Sequence, residues 1–579
     1  MAAARRPRVA ADVRRKRHTG DVFIVVIASG DGVAFQEFDD ELQAGSRLVL
    51  APAEFAAEVA RLEAGHPRWV WDDTSRWYPG LLAARVRVER CVDLRLCRAI
   101  LRRSELTSGS RLATGPTDSW DGAAPESTAA PVEDALFALD TSVPVARQED
   151  SLAEFLLQRD AIAGSPDPAR LSLLLAAESA GALVAAEMFA AGLPWRADVH
   201  DAILQGHLGQ RPEHGERPAL LTAVLEEVRI ALDAPTLNPD SAADLLRALG
   251  RAGLMVTSTR SWELKKLTHP SIEPLLAYKK LARLLSANGW PWLETNVTDG
   301  RFHPEYVPGG VVTGRWASKG GGGALQLPKQ IRGAVIADPS WKLVVADAAQ
   351  LEPRILAALA GDRGMVEAGA AGDLYAGIVA SGAVATRDQA KVAMLGAMYG
   401  ATSGEGGRLM PALMRQYPKA IGLVEAAARA GERGEIVTTR LGRSSPRPGA
   451  DWREAQSEAY GDVATERDAS RARGQARGWG RFTRNFIVQG SAAEWALCWM
   501  AILRGRLDEL GGGAWLTESP HLVFFMHDEV VVHTPVDVAA DVDAAIRASA
   551  AEAGRLMFGA LPVTFPLTVA VVDNYGDAK

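Results

Sequence analysis

Apolar residues are densest near the C-terminal end, in Leu522–Met526 and again in Val530–Val532. β-Branched and aromatic residues on both sides of a short break predict two strands joined by a tight turn, with His527, Asp528 and Glu529 at the turn. A second strand-like run, Leu343–Ala346, ends in Asp347 and leads into a helix-like segment. Near the N-terminus, 22–28, 32–38 and 68–71 read as strands, and 53–65 and 92–103 as helices, which together predict a small α/β unit. Residues 106–131, rich in Ser, Thr, Gly and Pro, read as a linker or long loop. From about 150 to 255 the pattern is helical, as in 171–192, and a further helix over 269–289 carries Lys279, Lys280 and Arg283 on its surface. Strand-like pieces return over 300–347, including a run of four glycines at 320–323 whose backbone can approach a ligand closely. Residues 386–404 predict a helix closed by Gly400. Arg387, Lys391, Leu395 and Tyr399 recur on it at every fourth position and form one stripe. A last helix is expected to open at Arg481, with Arg481, Asn485 and Gln489 sharing a face.

At 579 residues the chain is too long for one core, and two to four domains are expected. A hydrophobic fraction of 47% and a charged fraction of 23% are ordinary for a globular protein. No run of 18 apolar residues stands out, so no membrane span is predicted. The basic segment 1–20 reads as a disordered tail. The seven apolar residues after it are too few for a signal peptide. Cys91, Cys97 and Cys498 show neither a disulfide framework nor a zinc spacing, which fits a reducing cytoplasm. The net charge of −7 is unevenly spread: Arg251–Val345 holds thirteen Lys and Arg against six Asp and Glu. A basic belt beside acidic turns suits an enzyme that grips phosphates, although a solvated basic face has the same counts.

Carboxylates at the tip of an apolar hairpin are costly to desolvate unless a cation joins them. An Asp-Glu turn alone is often only a solvated turn. Asp347, in a similar setting far away in sequence, changes the balance, because two aspartates at strand ends are what a two-metal phosphoryl-transfer site requires. The helical stripe offers two cations, an apolar residue and an aromatic, which suits a nucleoside triphosphate; an ordinary basic surface helix is the plainer alternative.

ADAAQLEPR (346–354), RDQAKVAMLGAMYG (387–400) and MHDEV (526–530), with TGR (313–315), LQLP (325–328), LGR (441–443) and RNFIVQGSAAE (484–494), occur in the order seen in family A DNA polymerases. The chain resembles that family, the DNA polymerase I-like enzymes, over roughly residues 165–579. The resemblance implies a multidomain α/β (α+β) fold. A basic tail (1–20) and a degenerate 3′–5′ exonuclease-like α/β domain (21–150) would precede a right-hand polymerase. Its parts would be a helical thumb (151–298), a palm with an antiparallel sheet (299–360 and 481–579) and fingers (361–480). The implied activity is template-directed addition of dNMPs to a primer 3′-hydroxyl, in replication or repair. The implied cofactor is two Mg²⁺, replaceable by Mn²⁺, on Asp347 and Asp528. Arg387 and Lys391 would hold the triphosphate, with Lys391 protonating the departing pyrophosphate. Gln350, Glu352, Leu395 and Tyr399 would complete the nucleotide site, Glu352 excluding ribonucleotides and Tyr399 guarding the templating position. Arg315, Arg481, Asn485, Gln489 and His527 would contact primer–template DNA, partly in the minor groove, where correct pairs present similar acceptors. Glu529 and Arg354 would support the site. The expected partners are DNA and dNTPs, with no membrane; a monomer in the bacterial cytoplasm or nucleoid is expected.

Departures from the family pattern are also legible. Leu395 stands where Phe or Tyr is usual, Ala348-Ala349 where Tyr-Ser is usual, and Tyr375 where His is customary. Pro353 fits only if the helix starts beside it. The first strand of the N-terminal unit lacks the Asp-x-Glu that an exonuclease of this type uses, and Asp72, Asp73 and Asp93 do not complete a carboxylate set, so a structural domain is expected. The competing readings are a bifunctional exonuclease–polymerase, a single-subunit RNA polymerase, against which Glu352 argues, and a non-catalytic DNA-binding relative, against which the joint presence of Asp347, Asp528, Arg387 and Lys391 argues.

Overall fold

The computed structural model describes residues 22–29, 32–122, 150–213, 216–319, 327–400, 404–459 and 464–578. The basic tail and the four-glycine run lie outside them, as does the start of the LQLP segment. The chain forms two compact units: one contains residues up to 98 together with 116–160, the other 99–115 together with 161–579.

The smaller unit is built on a five-stranded sheet. Its strands are β1 (Phe23–Ser29), β2 (Gly32–Phe38), β3 (Ala44–Leu50), β4 (Arg68–Trp71) and β5 (Cys91–Asp93), in the order β3-β2-β1-β4-β5. β1–β2 and β2–β3 are antiparallel, whereas β4 and β5 run parallel to β1. Phe23, Val25, Phe38, Val70, Leu94 and Phe155 form its core.

The described part of the stretch read as a linker, up to residue 122, is structured. Short helical turns occupy Glu105–Thr107, Arg111–Thr114 and Ser119–Asp121. Ser104, Ser110 and Asp118 accept backbone N–H groups at their starts. The Ser- and Asp-rich composition that suggests a loop is also that of helix caps.

The first long helix of the larger unit is α1 (Pro168–Ala191). Its sheet strand β6 (Trp341–Ala348) is followed by α2 (Leu351–Ala360), α3 (Leu374–Ala380), α4 (Arg387–Tyr399) and α5 (Pro418–Glu432). Then come α6 (Glu466–Gly511), the hairpin β7 (His521–Met526) and β8 (Glu529–Pro535), α7 (Ala539–Phe558) and β9 (Leu567–Val572). The four strands pair antiparallel in the order β7-β8-β6-β9.

α6 does not open at Arg481. It starts fifteen residues earlier, behind a Thr465 cap whose hydroxyl meets the Asp468 N–H, and runs for 46 residues, about 69 Å at 1.5 Å per residue. α1 and α6 are long and apolar enough to cross a bilayer, yet most of the apolar stretch of each is buried inside the fold. Ion pairs tie α1 down: Glu178 to Arg443 at 2.6 Å and Glu187 to Arg504 at 2.7 Å.

A buried histidine in this unit gives a pH signature. His200 is fully buried, packs near Trp195 and Trp292, and has Nε2 2.9 Å from the Asn288 carbonyl. Burial pushes its pKa down to about 4. Between pH 4 and 6.5 the unfolded chain therefore binds the proton that the folded chain refuses, and stability falls as pH drops through that window, by up to about 1.4 kcal/mol per pH unit. Urea midpoints read by tryptophan fluorescence should fall more between pH 7 and pH 5 in the wild type than in His200→Gln. Equal falls would show that His200 does not set this slope.

Candidate active site

β6 carries its acid at the C-terminal end because its apolar run stops there. Asp347 lies opposite Glu529 on β8 and Thr568 on β9. The hairpin turn consists of His527 and Asp528 alone; Glu529 is a strand residue, opposite Met526 and 2% exposed. This corrects its expected place at the turn. The burial is tolerable because Glu529 accepts from the Tyr575 hydroxyl and lies 3.7 Å from Arg332. The Ala348 N–H donates to the Asp528 carbonyl at 3.0 Å. Two acids from distant segments thus flank one another at the sheet's end.

Two non-glycine residues in the left-handed region adjoin these acids: Gln350 (φ 56°) and His527 (φ 60°). Such backbone costs on the order of 1–3 kcal/mol per residue and persists where the surroundings impose it. At Gln350 the turn lets α2 start at Leu351, so Pro353 falls in its first turn, where its missing N–H is harmless. Gln350 Oε1 accepts from the Leu374 N–H at 2.9 Å. Arg354, 2% exposed, fixes the same corner by donating to the carbonyls of Ala349, Gly369 and Thr564.

A cavity of about 350 Å³ opens beside the hairpin. Among its walls are Arg315, Gln350, Glu352, Leu395, Tyr399, His527 and Asp528. Glu352 is its polar centre: one oxygen accepts from Arg315 Nη2 at 2.5 Å, the other from the Tyr399 hydroxyl at 2.9 Å. Burial, with the neighbouring Glu352 charge, pushes the Tyr399 pKa up to about 12 despite a hydrogen bond with Gln489. Arg315 reaches the cavity because Gly314 (φ 86°) lets the chain pass the Arg443 guanidinium; a Cβ there would lie 2.6 Å from Arg443 Nε.

α4 starts behind Thr386, whose hydroxyl accepts from the Gln389 N–H, and closes on left-handed Gly400. Its stripe divides in two: Leu395 and Tyr399 line the cavity, while Arg387 and Lys391 are exposed beyond its rim. Arg387 Nε donates to Asp373 Oδ2 at 2.8 Å, and its guanidinium lies 5.5 Å from the centre of the Tyr375 ring. Asp373 is a residue that sequence reasoning missed; it resembles an ordinary helix cap, and nothing in its spacing points to Arg387. Asn485 and Gln489 lie half-buried on α6, with Arg481 exposed one turn earlier.

The oxygen donors suit a hard divalent cation. Among the described residues no group of three or more His, Cys, Asp or Glu could hold a metal. Asp347 and Asp528 are the carboxylates that could hold such an ion.

The fold is similar to a solved "POL domain of Pol1 from M. smegmatis complex with DNA primer-template and dNTP", with a TM-score of 0.65 over 96% of both chains at 19% identity. Curated relatives include a thermostable DNA polymerase I of Thermus thermophilus, 29% identical over 358 residues, which are 56% of this chain and 39% of the relative. A DNA polymerase I of Chloroflexus aurantiacus is 27% identical over 52% of this chain and 32% of its own length. The matched segment thus spans well under half of these relatives. The family model of DNA polymerase family A matches residues 238–577, the segment that contains both acids, Glu352 and α4. With that match covering more than half of the chain, the protein belongs to DNA polymerase family A.

Proposed function

We propose that the chain is a DNA-directed DNA polymerase that adds dNMPs to a primer 3′-hydroxyl and releases pyrophosphate. The observation that carries this reading is the hydrogen bond from Ala348 to Asp528, which brings the strand end that carries Asp347 beside Asp528, a wall residue of the cavity of about 350 Å³, in a chain of this family. On this reading the central sheet is the palm, 361–480 the fingers and 151–298 the thumb.

Family A polymerases generally use divalent metals; here Asp347 and Asp528 would hold two Mg²⁺, which Mn²⁺ could replace. When bound, such ions supply activation of the primer hydroxyl and neutralise charge on the transferring phosphate. The other duties fall to side chains. Arg387 and Lys391, on successive turns of α4, would grip the triphosphate, and Lys391 Nζ would give its proton to the departing pyrophosphate oxygen. Glu352, braced by Arg315 and Tyr399, would stand against C2′ of the incoming sugar. Leu395 would press on the base with less stacking than an aromatic ring provides. Arg315, Arg481, Asn485, Gln489 and His527 would meet the primer–template, while Glu529 and Arg354 would hold the framework. DNA and dNTPs are the proposed partners, with action in the bacterial cytoplasm or nucleoid. Primer extension with each dNTP and rNTP, with and without Mg²⁺, tests this. A folded protein that binds primer–template but never extends it would instead be a non-catalytic relative.

The smaller unit is proposed to be an exonuclease-like scaffold. Asp72, Asp73 and Asp93 are committed to local structure. Asp72 accepts from Arg76 and Trp77, Asp73 caps the helix at Ser75, and Asp93 accepts from the Thr74 and Leu96 N–H groups. Burial, with the Asp73 charge nearby, pushes the Asp93 pKa up to about 7. The protein should show no Mg²⁺- or Mn²⁺-dependent 3′–5′ removal of a mismatched primer end. Mismatch removal that survives Asp528→Ala and vanishes on deleting residues 1–150 would restore the bifunctional reading.

A further inference from the structure

Asp373 divides its two oxygens between two tasks. Oδ1 caps α3, accepting from the N–H groups of Tyr375 at 3.0 Å and Ala376 at 3.2 Å, and also accepts from Gln350 Nε2 at 3.0 Å. Oδ2 accepts from Arg387 Nε at 2.8 Å. The Tyr375 ring lies against the same guanidinium. Burial pushes the Asp373 carboxyl up, but the Arg387 pair and the backbone donors outweigh it and hold it below the usual carboxylate range. The Asp373 carboxylate therefore occupies, at the start of α4, the position that a phosphate oxygen would take on Arg387, where the helix N-terminus also favours an anion.

We propose that Asp373 is an internal counter-ion that competes with the incoming triphosphate for Arg387 and so sets the nucleotide concentration at which the site fills. This rests on the reading of Arg387 as a triphosphate ligand. The competition is local: the cap on Oδ1 and the bond to Gln350 can stay in place while Oδ2 gives up Arg387. Asp373 also links α4, through Gln350, to the turn that follows Asp347, so nucleotide entry and release of that link are one exchange. Free phosphates meet the same barrier, and the site is guarded against occupation by pyrophosphate or inorganic phosphate as well.

The separate oxygens make a clean test. Asp373→Asn keeps a carbonyl oxygen for the cap, since Asn and Asp cap equally well, but replaces the acceptor facing Arg387 with an amide. The pair is half exposed, with 54% and 39% of the two side chains accessible. Pairs of this kind are weak and screened by solvent, so the expected change is roughly three- to fivefold. In steady-state primer extension, Asp373→Asn should lower KM for dNTP by that factor with kcat little changed. The inhibition constant for inorganic pyrophosphate should fall in step. In an Arg387→Ala background the same substitution should do nothing to KM. If Arg387→Ala alone raises KM but Asp373→Asn leaves it unchanged or raises it, the counter-ion role is overturned and the triphosphate reading stands. If Arg387→Ala does not raise KM, the reading of Arg387 itself fails. A lower melting temperature for Asp373→Asn with unchanged KM would mark Asp373 as a cap alone.

Discussion

Asp347→Ala and Asp528→Ala should each lower nucleotide incorporation by at least about a thousandfold while leaving primer–template affinity within a few fold. Asp347 comes from β6 and Asp528 from the turn between β7 and β8, joined by the hydrogen bond between Ala348 and Asp528, so neither can stand in for the other. No third acid among the described residues completes a metal-binding group, and each variant keeps a single carboxylate where two are needed. Neither substitution should unfold the sheet. Asp347 and Asp528 lie at its end, half-exposed, and the apolar register of β6 against β8 and β9 is untouched. Single-turnover extension with a fluorescent primer measures the rate, and anisotropy of the same primer measures binding. Incorporation by either variant within tenfold of wild type would defeat the assignment of both residues.

Glu352→Ala should raise the ratio of rNTP to dNTP incorporation by tenfold or more, on the order expected when a steric exclusion is removed. It should also slow dNTP incorporation, because Arg315 and Tyr399 both use the Glu352 carboxylate as their partner in the cavity. Glu352→Gln separates the two effects. It keeps the bulk at C2′, so selectivity should stay near wild type, but it replaces one acceptor oxygen with an amide and loosens either Arg315 or Tyr399. A rNTP-to-dNTP ratio that does not move in Glu352→Ala would show that Glu352 is not the gate.

The features legible in the sequence were those with a period or a sharp edge. Asp347 was visible because an unbroken apolar strand ends at it, and α4 because its stripe runs up to left-handed Gly400. Others were hidden for physical reasons. The first fifteen residues of α6 are polar on nearly every side and carry no helical period, so only its buried part from Arg481 onward announced itself. Glu529 looked like a turn residue because its partners, Tyr575 and Arg332, come from distant segments and make burial of a carboxylate tolerable. Gln350 and His527 gave no sign of left-handed backbone, which tertiary packing imposes on them. Asp373 carried no signal in the sequence, and its second oxygen acquires a role only once α3 and α4 are packed side by side.

The order of the central sheet has a consequence for how the molecule is made. β6 emerges from the ribosome with an apolar face and two unpaired edges, and its neighbours β8 and β9 follow about 180 and 220 residues later; at ~5–20 residues per second that is a wait of roughly ten to forty seconds. During that interval Leu343–Ala346 is the kind of segment that recruits foreign strands. No local folding step can assemble the pair of acids early, because Asp528 follows Asp347 by about 180 residues. A nascent chain halted before Asp528 holds only one of the two acids, and one halted before Leu567 leaves an edge of β6 open. The two acids therefore meet late in biogenesis, and a chaperone that shields β6 would act upon yield without touching the folded protein.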